Sequence, residues 1–169
     1  MKLSTRNIVV AGMLGAISII LGSTGLGLIP VPTPAGAVTI MHIPAILGGI
    51  IEGPIVGVLI GFIFGIFSFM RAGSALFADP VIALLPRLFI GLVAYYVYLS
   101  LSSFNKTAAY VMAGIVGTAV NTVGVLGLAV IRGYLPTKAA LSIAVVHGIP
   151  EAIAAAVIVT ILGRVLIKD

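Results

Sequence analysis

The sequence contains no cysteine and no tryptophan, and charged residues are scarce. Without cysteine, disulfides, thiolate chemistry and cysteine-ligated metal sites are excluded. Nine Lys and Arg and four Asp and Glu carry the formal charge of the 169 residues. The basic residues are scattered singly, so the net charge of +5 does not indicate a nucleic-acid partner.

Motifs for nucleotide binding and hydrolysis are also missing. The sequence has no G-x-x-x-x-G-K-[ST], no G-x-S-x-G and no H-E-x-x-H. We therefore expect a protein that is not an enzyme and that needs no cofactor. If it moves a solute uphill, another subunit must supply the energy.

What the sequence does have is apolar residues, at 61% of the chain and a mean hydropathy of +1.33. These values lie outside the range of soluble globular proteins and predict an integral membrane protein. At about 20 residues per span, the apolar runs predict an all-α bundle of six helices in one domain, residues 1–169. The predicted spans are residues 7–29, 38–51, 54–70, 80–101, 107–131 and 139–167.

Glycine and proline mark the breaks between spans. Residues 22–37 are rich in both and carry no charge, which predicts a loop outside the membrane, either a plain connector or a lid over an external site. Glu52-Gly53-Pro54 predicts a cytoplasmic turn between two short helices. A signal peptide cleaved at Ala35-Gly36-Ala37 is an alternative for the first segment, but its apolar stretch is longer than the usual signal core.

The distribution of basic residues predicts the orientation in the cell membrane. Six spans put both termini in the cytoplasm, which gives a modest positive-inside bias. The predicted cytoplasmic cations are Lys2, Arg6, Lys106, Arg164 and Lys168, against Arg71, Arg132 and Lys138 outside.

Four polar residues interrupt the last three predicted spans: Arg87, Asn121, His147 and Glu151. At 1.5 Å per residue they lie roughly 10–18 Å below the outer ends of their helices, so all four occupy one layer. A charge in hydrocarbon is costly, which makes an intramembrane Arg and Glu candidates for a ligand site facing the interior. An interior ion pair that locks the helices together is the alternative.

Pro150 is predicted to break the last helix beside Glu151 and to free a backbone carbonyl near this layer. His42 and His147 could bind a metal with Glu151 or Asp79, but they form no compact motif, and a hydrogen-bonded interior histidine is favoured.

Small residues recur every fourth position in two spans, a pattern that lets helices approach closely. The third span has Gly53, Gly57, Gly61 and Gly65, which should pack against the protein's own helices. The first span has Ala11 with Gly15 and Gly12 with Ala16, a face that could also receive a partner.

Together these features resemble the substrate-binding component of an energy-coupling factor (ECF) vitamin transporter. The resemblance covers nearly the whole chain and rests on H-I-P followed by G-x-x-x-G-P-x-x-G-x-x-x-G, between His42 and Gly61, and on L-P-R at residues 85–87. It implies a multi-pass subunit in the plasma membrane of a prokaryote that docks on a membrane coupling protein and two ATPases. ATP hydrolysis there would turn the bound ligand toward the cytoplasm.

The resemblance also implies site residues. The ligand would be held by the outer parts of the fourth to sixth helices, which selects Arg87, Asn121, His147 and Glu151, and capped by external loops that include residues 22–37. We add His42 and Arg71 as candidate substrate contacts. The coupling interface would be formed by Ala11, Gly12, Gly15 and Ala16.

The ligand class stays open at this point. Metal-ion members of the family carry a histidine at residue 2, where this chain has Lys2, so nickel and cobalt are disfavoured, and the absence of tryptophan argues against thiamine. Arg87 or Arg71 could pair with a carboxylate, so pantothenate, a pyrimidine precursor or lipoate would each fit. Two other classes remain, a membrane assembly protein that oligomerises through its glycine stripe and a membrane enzyme using Glu151 and His147 as acid and base.

Overall fold

The structure of this chain is a computed structural model that describes residues 3–30, 37–72 and 74–167. Six helices and one small antiparallel sheet run through these residues. The elements are α1 Thr5–Thr24, β1 Leu28–Pro30, β2 Ala37–Thr39, α2 Ile43–Glu52, α3 Pro54–Arg71, α4 Pro80–Ser102, α5 Lys106–Ile131 and α6 Thr137–Leu166. The predicted all-helical fold is confirmed.

Local sequence signals explain where the helices begin. Ser4 caps α1 through a reciprocal pair of hydrogen bonds with Asn7. Asp79 and Asn105 cap α4 and α5 by accepting from the backbone N–H groups two and three residues later. Pro54 starts α3 directly after Gly53, whose φ of 97° suits glycine, so the predicted turn at Glu52-Gly53-Pro54 is confirmed.

Five of the described helices, all except α2, are long and apolar enough to cross a bilayer. α2 has 10 residues, about 15 Å of helix, which is half of a typical hydrocarbon core. Every residue from Ile43 to Ile50 is buried, because α2 is surrounded by α1, α3, α4, α5 and α6. This short helix forms the centre of the apolar core.

The connection between α1 and α2 differs from the prediction. α1 ends at Thr24 rather than near residue 29, and α2 begins at Ile43 rather than at residue 38. Between them, β1 and β2 pair antiparallel with Leu28 opposite Thr39. Residues 31–36, which include the middle of the predicted lid and Ala35-Gly36 of the cleavage motif, lie outside the described residues.

The prediction that Pro150 breaks the last helix is wrong, because α6 continues through it from Thr137 to Leu166. Proline removes one backbone hydrogen bond and crowds the preceding turn, and a long helix that packs against α5 and α2 absorbs this loss without ending. The same holds for Pro86 inside α4.

The glycines of α3 bring it against its own neighbours. A Cβ at Gly57 would lie 2.8 Å from the Cα of Gly91 on α4, and one at Gly61 would overlap the carbonyl oxygen of Arg87. Gly57, Gly61 and Gly65 therefore pack against the protein's own α4, as predicted, and are not available for self-association, whereas Gly53 precedes the helix and a Cβ there meets nothing within 4 Å among the described residues.

Side-chain contacts define the two ends of the bundle. At one end, which we call the base, Arg6 pairs with Glu52 at 2.7 Å and Arg164 donates to Thr107 at 2.5 Å. At the other end, the top, Arg71 of α3 donates to the carbonyl oxygen of Gly22 on α1 at 2.8 Å. The start of α1 and the end of α6 thus share the base. Lys2 and Lys168 lie outside the described residues.

Candidate functional site

Arg87 lies inside the bundle, with 3% of its surface exposed. Its Nη1 donates to the carbonyl oxygen of Ile82 at 2.6 Å. That carbonyl lacks its usual helical donor because the residue four positions later is Pro86, which has no N–H. The arginine satisfies this acceptor, whereas its buried Nε has no hydrogen-bond partner among the described residues.

Two aromatic rings lie beside the guanidinium. The Cζ of Arg87 is 5.4 Å from the ring centroid of Phe64 on α3 and 4.9 Å from that of Phe77, in the segment between α3 and α4. Such contacts stabilise a cation that has been removed from water. They compensate part of the cost of burying the charge without occupying its remaining N–H groups.

Glu151, on the inner face of α6, is 5% exposed and both of its carboxylate oxygens have partners. Oε1 accepts from the backbone N–H of Thr39 at 2.8 Å, and Oε2 accepts from the hydroxyl of Thr122 at 3.3 Å. The carboxylate therefore joins α6 to the end of β2 and to α5.

Arg87 and Glu151 are near enough for their opposite charges to attract each other. Among the described residues, however, no side-chain nitrogen of Arg87 lies within 4.0 Å of a carboxylate oxygen of Glu151, so the two do not form an ion pair. The predicted alternative, a direct ion pair that locks α4 to α6, is therefore absent. A cation and an anion are instead held apart in one buried region.

The inner face of α5 supplies further polar groups to this region. The hydroxyl of Thr118 lies 2.8 Å from Nε2 of His42, which is fully buried at the start of α2. Asn121 is 6% exposed, and its Oδ1 has no partner among the described residues, nor does Nδ1 of His42. Buried polar atoms without partners are rare in native structures and each needs an explanation.

Two predicted site residues take different positions. His147 is buried one turn before Glu151 on the same face of α6. Arg71 is exposed at the top, where its hydrogen bond to Gly22 joins α3 to the end of α1. Unlike Arg87, it does not belong to the buried region. The structure therefore gives Arg87 a better position than Arg71 for meeting an interior carboxylate.

The four small residues of α1 divide into two pairs. Ala11 and Gly15 are buried against the protein's own helices, and a Cβ on Gly15 would lie 2.7 Å from the Ile63 side chain of α3. Gly12 and Ala16 are exposed, with nothing within 4 Å of a Cβ built on Gly12. In this arrangement only Gly12 and Ala16 could contact a partner.

Several residues around the site were missed by the sequence reasoning. Thr118 and Thr122 carry a usable signal, because they lie four residues apart on one face of α5 and Thr118 lies three residues before Asn121. Thr39 contributes through its backbone, which no side-chain pattern reveals. Phe64 and Phe77 are ordinary apolar residues in the sequence, and only the fold brings them to Arg87.

An ionic cluster at the top joins the connections that flank this region. Asp79 accepts from the N–H of Val81 at 2.9 Å and from Nε of Arg132, and the hydroxyl of Tyr134 lies 3.4 Å away. Burial alone would raise the pKa of Asp79, but the hydrogen bonds from Val81 and Arg132 and the charge of Arg132 together lower its pKa below the ordinary 3.8. Asp79 is therefore stabilised as the carboxylate.

Two grooves lie on the outside of the bundle. One of about 400 Å³ runs along α4 past Leu92 and Tyr96, and one of about 380 Å³ lies between α4 and α5 beside Pro86 and Gly124. Neither is lined by the buried polar residues.

Among the described residues, no three His, Asp or Glu side chains are grouped so that they could hold a metal ion.

Apolar helices of membrane-spanning length that enclose unpaired charged and polar groups are features of a membrane transport protein. The chain belongs to the family of ECF transporter substrate-specific components, since the model of that family matches residues 6–163. The predicted family is confirmed. A similar protein, 34% identical over 108 residues, is the pantothenic acid transporter PanT of Lactococcus lactis subsp. cremoris strain MG1363. That match covers 52% of this chain and 54% of the relative, so it spans about half the length of each.

Proposed function

We propose that this chain is the substrate-capture subunit of an ECF transporter and that it binds a carboxylated vitamin of the pantothenate type through Arg87. The observation that carries this proposal is the buried guanidinium whose Nε has no hydrogen-bond partner among the described residues. The Nε and Nη2 edge of an arginine matches the two oxygens of a carboxylate, and Nη1 is already used by Ile82. Pantothenic acid, which appears in the name of the similar transporter, has such a carboxylate.

Asn121 supports the same ligand class. Within the described part of the chain its Oδ1 has no donor, so the complementary ligand offers an O–H or N–H group as well as an anionic end. Pantothenate has two hydroxyl groups and an amide N–H in addition to its carboxylate. We expect Arg87 to hold the carboxylate and Asn121 to accept from one of the neutral donors, with His147 completing the pocket.

The orientation follows from the ends of the bundle. We place the base, with Arg6, Lys106 and Arg164, at the cytoplasmic side of the plasma membrane, and the top at the outside. The ligand would then enter from the top. Because the chain has no ATPase motif, the energy would come from two ATPases acting through a membrane coupling protein that contacts α1.

The test is equilibrium binding of radiolabelled pantothenate to the purified chain in lipid nanodiscs. Removing Arg87 leaves a buried carboxylate unpaired, which costs about 2–5 kcal/mol and weakens binding by roughly 30-fold or more. We expect Arg87→Ala to show this loss and Arg87→Lys to recover only part of it, because lysine lacks the planar fork. Arg164→Ala at the base is the matched control and should bind like the unmodified chain.

The corresponding alcohol, panthenol, makes the test specific for the carboxylate. The unmodified chain should prefer pantothenate to panthenol, and Arg87→Ala should lose that preference. Equal affinity of Arg87→Ala and the unmodified chain for pantothenate would contradict the role of Arg87. No binding of pantothenate by the unmodified chain, with another carboxylated vitamin recovered from it by mass spectrometry, would reject pantothenate as the ligand.

A further inference from the structure

Glu151 differs from Arg87 and Asn121 in that both of its side-chain oxygens have hydrogen-bond partners. Arg87 and Asn121 each have a buried atom that meets no partner in residues 3–30, 37–72 and 74–167, whereas both oxygens of Glu151 accept hydrogen bonds from the protein. The shorter bond, 2.8 Å, comes from the backbone N–H of Thr39. A carboxylate that accepts from a backbone N–H forms a charge-assisted bond, roughly twice as strong as a neutral one.

Thr39 stands at the junction between the small sheet and α2. It is the last residue of β2, and its hydroxyl accepts from the N–H of Met41 at 3.3 Å. The next residue, Ile40, donates to the carbonyl oxygen of Gly27 at 3.0 Å. His42, the residue directly before α2, comes three residues after Thr39, so a shift of Thr39 would be passed on to His42.

This junction needs an external anchor. β1 and β2 are three residues long each, and a two-stranded ribbon of that size is not stable by itself. The bond from Thr39 crosses from residue 39 to residue 151 and ties the ribbon to α6, the element that also carries His147.

We propose that Glu151 is a positioning residue, whose carboxylate anchors the junction of residues 39–42 to α6 and supports the site through this anchor instead of by contact with the ligand. The anchoring itself is independent of which molecule binds. Its effect on affinity rests on the proposed function. His42 is held by Thr118 on α5 and by the anchored junction. If the junction moved, His42 would move with it and would change the surroundings of Arg87.

The first experiment measures backbone amide hydrogen exchange in the full chain in lipid nanodiscs, without ligand. Glu151→Ala removes the acceptor, so exchange in peptides covering residues 37–42 should rise roughly ten-fold or more, while α3 and α4 keep their rates. Glu151→Gln keeps an oxygen for Thr39 and should show a smaller increase. Thr122→Val removes the other hydrogen bond of Glu151 but not the anchor, and should exchange like the unmodified chain.

The second experiment uses radiolabelled pantothenate and separates positioning from contact. If Glu151 acts through the junction, Glu151→Gln retains most of the affinity, and Glu151→Ala loses affinity mainly through a faster dissociation rate. Loss of binding in Glu151→Gln as complete as in Arg87→Ala, with normal exchange at residues 37–42, would overturn the proposal in favour of direct contact.

Unchanged exchange at residues 37–42 in Glu151→Ala would also overturn it. Should Glu151→Ala not be recovered as folded protein, the exchange and affinity of Glu151→Gln decide the question alone. If the unmodified chain does not bind pantothenate, the exchange experiment still tests the anchor, so the two proposals fail separately.

Discussion

Among the single residues, Pro86 and Arg87 act as one unit. The proline leaves the carbonyl of Ile82 without its helical donor. The side chain of the next residue, Arg87, donates to this carbonyl oxygen instead, at 2.6 Å. A buried guanidinium needs several acceptors, and this arrangement provides one backbone acceptor and two aromatic rings. The remaining N–H groups of Arg87 are those that we assign to the ligand.

Asp79 gives a prediction about pH. Its folded-state pKa lies below the ordinary 3.8, so its ionised form stabilises the folded protein. This contribution is fully present above the ordinary pKa and is lost as the pH falls through the lower, folded-state value. Thermal unfolding followed from about pH 6 to about pH 3 should show that Asp79→Asn is less stable than the unmodified chain at the upper end and that the difference shrinks toward the lower end.

Arg132→Gln is the matching control for this cluster, since it removes the charge that Asp79 meets. It should reproduce part of the loss at the higher pH. A difference between Asp79→Asn and the unmodified chain that grows as the pH falls would contradict the assignment.

The burial of Arg87, Asn121, His147 and Glu151 could be predicted, because polar groups in apolar spans are costly unless they face the interior, and all four are buried. Their partners could not. The hydrogen bond between Glu151 and the backbone N–H of Thr39 depends on where a distant strand ends. The hydrogen bond from Arg87 to the carbonyl of Ile82 depends on the side-chain rotamer of Arg87. Their roles in binding stay predictions.

Among the helices, the contact between α3 and α4 is closest at the glycines. A methyl group at Gly61 would overlap the carbonyl of Arg87, which is rigid backbone and cannot turn away. We expect Gly61→Ala to push α4 away from α3, to lower the free energy of unfolding by about 1–3 kcal/mol and to weaken ligand binding by displacing Arg87.

Gly127→Ala on α5 is the control, because a Cβ there meets nothing within 4 Å. It should leave ligand binding unchanged and should not lower thermal stability, since alanine favours helix over glycine. Thermal unfolding and pantothenate binding of both variants check the prediction. Equal behaviour of the two would contradict it.

The helices themselves were predictable to different degrees. The turn at Glu52-Gly53-Pro54 has a strong signal and was correct. The strands were not predicted, because three residues are too few to show a strand period and Pro30 lies in one of them. Pro150 was wrongly predicted to break the last helix, because the loss of one backbone hydrogen bond is local and the rest of α6 remains helical on both sides of it.

For the molecule as a whole, the outward face of α1 is the surface that we assign to the coupling protein. Gly12 and Ala16 are exposed in the middle of this helix, and a partner helix could approach closely there. We expect Gly12→Leu to bind pantothenate in nanodiscs with unchanged affinity and to lose most vitamin uptake in cells that also express the coupling module.

The same change at Gly127, on a different helix, should preserve both binding and uptake. Gly15→Leu should behave differently from either, because its side chain would meet Ile63 and disturb the fold. Normal uptake by Gly12→Leu would move the partner surface away from this face of α1.

The brevity of α2 has an electrostatic consequence. Because this helix has 10 residues and runs to the base at Glu52, its first turn lies deep inside the bundle. The N-terminal end of a helix behaves as roughly half a positive charge. Added to Arg87 and set against Glu151, it would give the interior a positive surplus, and we therefore expect the bundle to prefer a negatively charged guest over a neutral one of the same shape.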